Sequence, residues 1–493
     1  MRDFYDVVIA GGGVVGCAIA RELSKYSVTA CLAEREADVS MGTSCRNSGV
    51  LHSGINYKPG TLRAKLSVRG NALMDDLCRR LKVKIKRIGK LTVALDEDDL
   101  PGLERIYAQG QANGVPGLEL IGPEAMRRIQ PDVQGVAALW SPTSAIISPY
   151  GLTIALAENA KANGVDVLLN WEVAGLEARP GGGFAVKNAR GDRVLCTVFI
   201  NAAGLFADKI CRMAGIDQYR IYPCRGEYYV LDKRLDGSLK TLIYPTPNPK
   251  NPGLGIHLTP TVDGNILIGP SADYQESPYW TGNCAPTLAQ LRAEGVKLLP
   301  GIRFSDYIRS FAGLRAKQTP PEVGGNADFV IEDRTDVKGF INVMGIESPG
   351  LTSSPAIAEM VAAMVKKHLP LREKPDFRAE RPGSALLFSE RSAEERAQLI
   401  AEDPDYGEII CRCEQVSRRE VLDALNNPLG AKTFASLKYR SRVSMGRCQG
   451  GFCVPRIARL LREEFGWSWE DFTQHGGSSK MFSGVVLKGG ERR

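Results

Sequence analysis

The sequence predicts an α/β fold joined to an α+β part: a dinucleotide-binding parallel-sheet domain, an antiparallel-sheet domain beside it, and a small helical cysteine-cluster unit at the C-terminal end. Three observations predict it. A β-branched run, Tyr5–Ala10, leads into Gly11-x-Gly13-x-x-Gly16 and an apolar helical stretch. Residues 220–270 alternate apolar and polar side chains between turn signals. Four of the twelve cysteines fall between positions 411 and 453.

The first element begins at Tyr5. Strand 5–10, glycine turn 11–16, helix Cys17–Lys25 and strand Val28–Ala33 make a βαβ start. In the turn, Gly11 permits the sharp bend, Gly13 lets a pyrophosphate approach the backbone, and Gly16 lets helix and strand pack closely. The helix N-terminus faces the phosphates with partial positive charge. Glu34 follows Gly16 by 18 residues and ends the second strand, where an acid can bind ribose hydroxyls. The motif alone leaves FAD and NAD open.

Further along, residues 42–70 read as a polar loop with His52, then a helix from about Thr61. Strands are expected at 85–97 and 118–121, a helix at Tyr150–Asn163, and strands near 165–175, 183–188 and 194–200. The last of these runs into Asn201-Ala-Ala-Gly204. The antiparallel part holds Glu227–Leu231, Gly255–Thr259 and Gly264–Gly269, and helices follow at 285–300 and 353–368. The expected division is a first unit, 1–370, with a dinucleotide part at about 1–80, 145–215 and 325–370 and a substrate part at about 81–144 and 216–324. A polar linker at 371–405, a cysteine unit at 406–467 and a loosely ordered tail at 468–493 complete it.

Bulk properties narrow the function. The formal net charge is +7, with no block of five like charges, so a nucleic-acid partner is not expected. No signal peptide and no run of about 18 uncharged apolar residues is present, which leads to the expectation of a cytoplasmic protein, at most peripheral to the inner face of a membrane. A cysteine cluster in such a chain indicates metal rather than disulfides.

Seven runs are similar to the D-amino-acid-oxidase-like flavoproteins. They are Arg46-Asn-Ser-Gly-Val-Leu-His-Ser-Gly-Ile-Asn-Tyr-Lys-Pro-Gly60, Pro223-Cys-Arg-Gly-Glu-Tyr-Tyr229, Ile243-Tyr-Pro-Thr-Pro247, Gly255-Ile-His-Leu-Thr-Pro260, Asp263-Gly-Asn-Ile-Leu-Ile-Gly-Pro270, Ala312-Gly-Leu-Arg-Ala316 and Ile346-Glu-Ser-Pro-Gly-Leu-Thr352. Within that family the chain resembles the L-2-hydroxyglutarate dehydrogenase/oxidase group and the FAD-dependent glycerol-3-phosphate dehydrogenases, over about residues 1–370. The resemblance implies a glutathione-reductase-like FAD-binding Rossmann domain, with an antiparallel substrate domain over the flavin. It places Asn47, Ser48, Gly49, Ala203, Gly204, Gly350, Leu351 and Thr352 with Gly11, Gly13, Gly16 and Glu34 at the FAD. It also implies that Arg315 binds the substrate's anionic group.

Oxidising a secondary alcohol requires a base for the hydroxyl proton and cations for the anionic group. Of four histidines, His368 closes a helix and His475 lies in the tail, which leaves His52 and His257 as candidate bases. Arg225, Tyr244 and Lys58 are further pocket candidates.

Cys411-x-Cys413 and Cys448-x4-Cys453 form two close pairs, able to ligate a [2Fe–2S] cluster or a zinc ion. Their surroundings resemble the bacterioferritin-associated-ferredoxin-like domain, which implies a [2Fe–2S] centre. The x4 spacing of the second pair departs from the x2 usual in the free-standing ferredoxin. The expected function is an FAD-dependent dehydrogenase of an L-2-hydroxy acid or glycerol 3-phosphate, passing electrons through the cluster to an acceptor protein or a quinone, with a membrane-associated partner subunit as one form of that acceptor. The alternatives are amine oxidation on the same fold and a non-catalytic electron-transfer subunit.

Overall fold

Strand Phe4–Ala10 lies inside an eight-stranded sheet in the computed structural model, which describes residues 1–247, 256–383 and 387–484. Ala30–Ala33 and Arg193–Asn201 flank it, both parallel. Asp166–Leu168 extends one side and Phe340–Met344 the other, again parallel. These strands read as continuous apolar runs because both faces are covered: Val7, Val8 and Ile9 are all fully buried. One face carries the helices Val14–Leu23, Leu62–Leu81, Pro149–Ala162 and Gly350–Val365. The other carries an aromatic layer in which Phe199 stacks on Phe340 at 5.8 Å.

A second sheet lies over the first domain. Tyr222–Leu231 is its centre, paired antiparallel with Ile266–Gly269, Asp273–Tyr274 and the long strand Tyr307–Lys317. His257–Pro260 adds an edge. The sequence pattern does not announce Tyr307–Lys317, because Ser310, Gly313 and Arg315 interrupt its alternation; pairing with Tyr222–Leu231 makes it a strand. Of the expected strand Gly255–Thr259, Gly255 lies outside the described residues. A four-stranded sheet joins Leu242–Pro245, Lys90–Ala94, Ala137–Ser141 and Glu119–Ile121. Beside it, helix Leu100–Ala112 was not anticipated, since Pro101, Gly102 and Gly110 lower its intrinsic propensity. Packing of Leu103 and Ile106 against Ile55 and Leu139 supplies what propensity lacks.

The C-terminal unit has its own core, with Val416, Val421, Leu437, Val443, Ile457 and Leu461 at its centre. Its helices are Arg418–Leu425, Phe434–Ser441 and Cys453–Phe465. The first part of the expected linker, through Arg381, is instead a strap bonded to the neighbouring helix. Asn159 and Asn163 donate to the Arg378 carbonyl, each at 3.0 Å, Arg381 pairs with Glu158, and Ala393–Glu402 is a helix with a Ser392/Glu395 capping box. Its polar residues, which read as a solvated linker, satisfy polar groups of the neighbouring helix. The unit is seated by Arg440, which reaches buried Asp38 and Glu158, and by Arg442, which reaches Asp263 and Glu414. Tyr439 stacks on Tyr150 at 5.0 Å. The described part of the tail is also tied down, with Gln474 donating to the Ser479 carbonyl at 2.8 Å. Among the described residues, no helix is long and apolar enough to cross a membrane.

Candidate active site and cysteine centre

One cavity of about 350 Å³ runs from the Gly11–Gly13 turn, past loop 42–48, to Tyr244, His257 and Arg315. Its first half is a dinucleotide cradle. Gly11 holds φ +109°, and a Cβ there would stand 2.5 Å from the Ala202 carbonyl oxygen. The Glu34 carboxylate accepts from the Gly12 and Glu36 N–H groups at 2.6 and 2.8 Å, and burial raises its pKa. Ser44 Oγ accepts from the Val14 N–H at 2.9 Å, at the helix N-terminus. Asn47 braces the loop: its amide donates to the Ser44 carbonyl and its oxygen accepts from Gly49 N–H. Ala203, Gly204, Ser48, Gly350 and Leu351 line the same cavity. The first turn of Gly350–Val365 brings the unsatisfied N–H groups of a helix start to its wall.

The far half gathers polar groups from separate elements. His52 Nε2 lies 3.2 Å from Ser348 Oγ, and the His52 N–H donates to Thr352 Oγ1 at 2.9 Å. Burial, with the charges of Lys90 and His257 after it, pushes the His52 imidazole down to about 3. His52 is therefore neutral at ordinary pH. The His257 ring lies 4.1 Å from that of Tyr244. Burial also holds the Tyr244 phenol well above its usual value. Arg315 donates to the Ser271 carbonyl at 3.1 Å and has no carboxylate in ion-pair range among the described residues. It lies across Gly226, where a Cβ would stand 2.8 Å from its nitrogen. Only a glycine leaves that space.

Other sequence candidates stand elsewhere. Gly16 does not line the cavity: a Cβ there would meet the Gly11 carbonyl oxygen at 1.9 Å, so it serves helix packing. Gly49 serves a close approach to the Ile147 carbonyl, and Thr352 acts through His52. Arg225 lies outside the cavity, buried in an ion pair with Glu227 at 3.0 Å and stacked on Trp280. Its burial demands a carboxylate, and the next inward-facing residue of its strand supplies one. Lys58 is exposed on the loop before Leu62–Leu81 and is likewise not a wall residue. His368 is half-buried against Asp333 at 2.7 Å, not a free surface residue. His475 is half-buried too, and burial lowers its pKa.

Three residues reach the site without having been singled out. Ser348 and Tyr57 lie in the runs Ile346–Thr352 and Arg46–Gly60, but no spacing ties either to His52. Lys90 begins a strand and reads as an edge residue. It is 2% exposed, has no ion-pair partner among the described residues, and carries its ammonium 5.1 Å from the Tyr244 ring. Burial pushes it down to about 8.

The four C-terminal thiols converge. Cys411 and Cys413 Sγ are 3.9 Å apart, Cys413 and Cys448 Sγ 3.8 Å, and the Cys453 thiol is in hydrogen-bond reach of Cys411. None of the four is in a disulfide. Backbone N–H groups of Glu414, Ser444, Cys448, Gly450 and Phe452 point at the sulfurs. A Cβ at Gly446 would stand 2.6 Å from Cys413 Sγ. A set of four thiolates, N–H donors and a glycine-lined cradle fits an iron–sulfur cluster.

Comparisons with known proteins show the family. The FAD dependent oxidoreductase (DAO) family model matches residues 6–364, and the BFD-like [2Fe-2S] binding domain matches 409–463. The chain is 41% identical over 467 residues to a glycerol 3-phosphate dehydrogenase of Caloramator mitchellensis, covering 94% of this chain and 95% of that one. It is 33% identical to the mitochondrial L-2-hydroxyglutarate dehydrogenase of Homo sapiens, covering 74% and 90%. Among solved structures, the L-alpha-glycerophosphate oxidase of Mycoplasma pneumoniae with FAD bound superposes with a TM-score of 0.71 at 29% identity, over 77% of this chain and 99% of that one. The chain thus belongs to the FAD dependent oxidoreductase family, with FAD as the ligand of its glycine-turn cavity and a [2Fe-2S] cluster as that of its C-terminal BFD-like domain.

Proposed function

We propose that this protein is a glycerol-3-phosphate dehydrogenase that hands its electrons to an external acceptor. One observation carries the reading: an arginine without a carboxylate partner among the described residues and a neutral histidine share the far half of the cavity. Such a pairing suits a small substrate with an anionic group to anchor and a hydroxyl proton to lose. The choice of glycerol 3-phosphate is supported by the extent of similarity. The Caloramator mitchellensis relative aligns over 94% of this chain, and the L-2-hydroxyglutarate dehydrogenase of Homo sapiens over 74%.

When bound, FAD supplies a two-electron hydride acceptor and the [2Fe–2S] cluster a one-electron carrier. The protein's own residues do the rest. Arg315 binds the phosphate, in the space that Gly226 leaves. His52 takes the hydroxyl proton, with Ser348 fixing its ring through Nε2 and Thr352 fixing its backbone. Lys90, behind Tyr244, keeps the local potential positive where the alkoxide develops. Tyr244 and His257 close the wall and exclude water.

An anaerobic titration tests the substrate. Glycerol 3-phosphate bleaches the flavin band, whereas L-2-hydroxyglutarate and glycine leave it unchanged. Bleaching by L-2-hydroxyglutarate or glycine alone would refute the assignment.

A further inference from the structure

Two of the four cluster ligands, Cys413 and Cys448, are exposed, whereas Cys411 and Cys453 are buried. One edge of the cluster site therefore reaches the surface. Arginines ring that edge. Arg412, between two ligands in sequence, is exposed and stacks on Phe452 at 4.2 Å, with no ion-pair partner among the described residues. Phe452, Arg456 and Arg459 follow at spacings of four and three, so they share one face at the start of Cys453–Phe465. Arg459 is exposed and has no ion-pair partner among the described residues either. Across the ligands, Arg447 keeps a side chain that is 60% exposed while touching Asp232, and Arg309 donates to Gln449 at 3.2 Å.

The charge of the unit is positive, although Lys438, Arg440 and Arg442 are buried and belong to its seat rather than to the rim. Residues 406–467 hold eleven Lys and Arg against six Asp and Glu, five of the chain's net +7. The rim is mainly positive, with Asp232 on Arg447 and Glu408 on Arg456 and with Arg412 and Arg459 unpaired among the described residues; such an excess around a redox centre raises the encounter rate of partners of the opposite sign. Weak electron-transfer interfaces are small, so a few charges decide their selectivity.

We propose that this rim docks an acidic one-electron carrier protein directly over Cys413 and Cys448. Each encounter oxidises the cluster by one electron and reduces the carrier by one; two encounters clear the two electrons of one substrate oxidation. The source of the electrons rests on the function proposed above, but the docking does not. A membrane surface is the less suited partner. It would need exposed apolar side chains to insert, and the one aromatic of the rim, Phe452, is half-buried under Arg412.

The test measures binding of the immobilised full-length holoprotein to an acidic flavodoxin, with no substrate present. Raising salt from low ionic strength to about 0.5 M is expected to weaken the Kd at least about tenfold. Arg412→Glu with Arg459→Glu weakens it by about as much at low salt, while the visible cluster absorbance stays. Arg459→Gln, a milder change, weakens it about twofold to fivefold. Affinity indifferent to salt and to these changes would overturn the proposal. So would tighter binding of basic cytochrome c, or of phosphatidylserine vesicles without flavodoxin binding. Because the assay needs no turnover, a failure of the glycerol 3-phosphate assignment leaves its outcome readable.

Discussion

Arg315 and His52 show how much one side chain depends on its immediate neighbours. Arg315 is aimed by the Ser271 carbonyl and by the absence of a side chain at Gly226. Replacing it with Gln is expected to raise the KM for glycerol 3-phosphate roughly a hundredfold, about 2.7 kcal/mol, because a charged anchor to an anion is lost. Lysine recovers part of this, since it keeps the charge but not the planar fork. Steady-state kinetics with an artificial dye measure both. His52→Ala is expected to lower kcat by about a hundredfold to ten-thousandfold with flavin content unchanged. The low pKa of His52 also affects stability. A free imidazole titrates near about 6.5, and His52 in the folded chain near about 3. Between these values the unfolded chain binds a proton that the folded chain does not. The stabilisation is therefore complete above the upper value and is lost as pH falls toward the lower one. His52→Gln should flatten the fall of Tm between neutral pH and mild acid; an unchanged slope would contradict this.

At the scale of elements, helix Leu62–Leu81 crosses Gly350–Val365 at Gly70. A Cβ on Gly70 would stand 2.1 Å from the Thr352 carbonyl oxygen. That contact holds the segment carrying Ser348 and Thr352 beneath His52. Gly70→Ala is expected to cost about 1–3 kcal/mol by overpacking and to lower kcat as well, because the helix start and its serine must shift. Differential scanning calorimetry and dye turnover on one preparation test the coupling; a stability loss with unchanged kcat would show that the two are independent. The βαβ start was legible because its pattern is local: a strand, three glycines at fixed offsets, a helix and an acid. Strand Tyr307–Lys317 and helix Leu100–Ala112 were not, because neighbours distant in sequence complete them.

For the whole molecule, the seat of the C-terminal unit is ionic and buried. Arg440 stands between Asp38 and Glu158, whose side chains are 0% and 5% exposed. Arg440→Met leaves Asp38 buried without its cation and should cost about 3–5 kcal/mol. Hydrogen exchange is expected to show lost protection in Phe434–Ser441, with the strand Phe4–Ala10 still protected. Global loss in both would mean that the two parts unfold together. Independently, Cys453→Ser should abolish the visible absorbance of the cluster and leave the flavin band in place.

What is local or repeats a fixed spacing can be read along the chain: the dinucleotide turn and Glu34, the paired cysteines, the apolar strands and the runs that identify the family. Which polar groups meet is set by the folded chain. It put Arg225 into a buried pair with Glu227 rather than into the cavity. It turned the first part of the presumed linker into a strap, and brought Lys90, Tyr57 and Ser348 to the histidines. The physical reason is that a buried charge takes whatever partner the packed chain brings within a few ångströms. That partner is set by sheet register and helix crossing, which no spacing along the chain records.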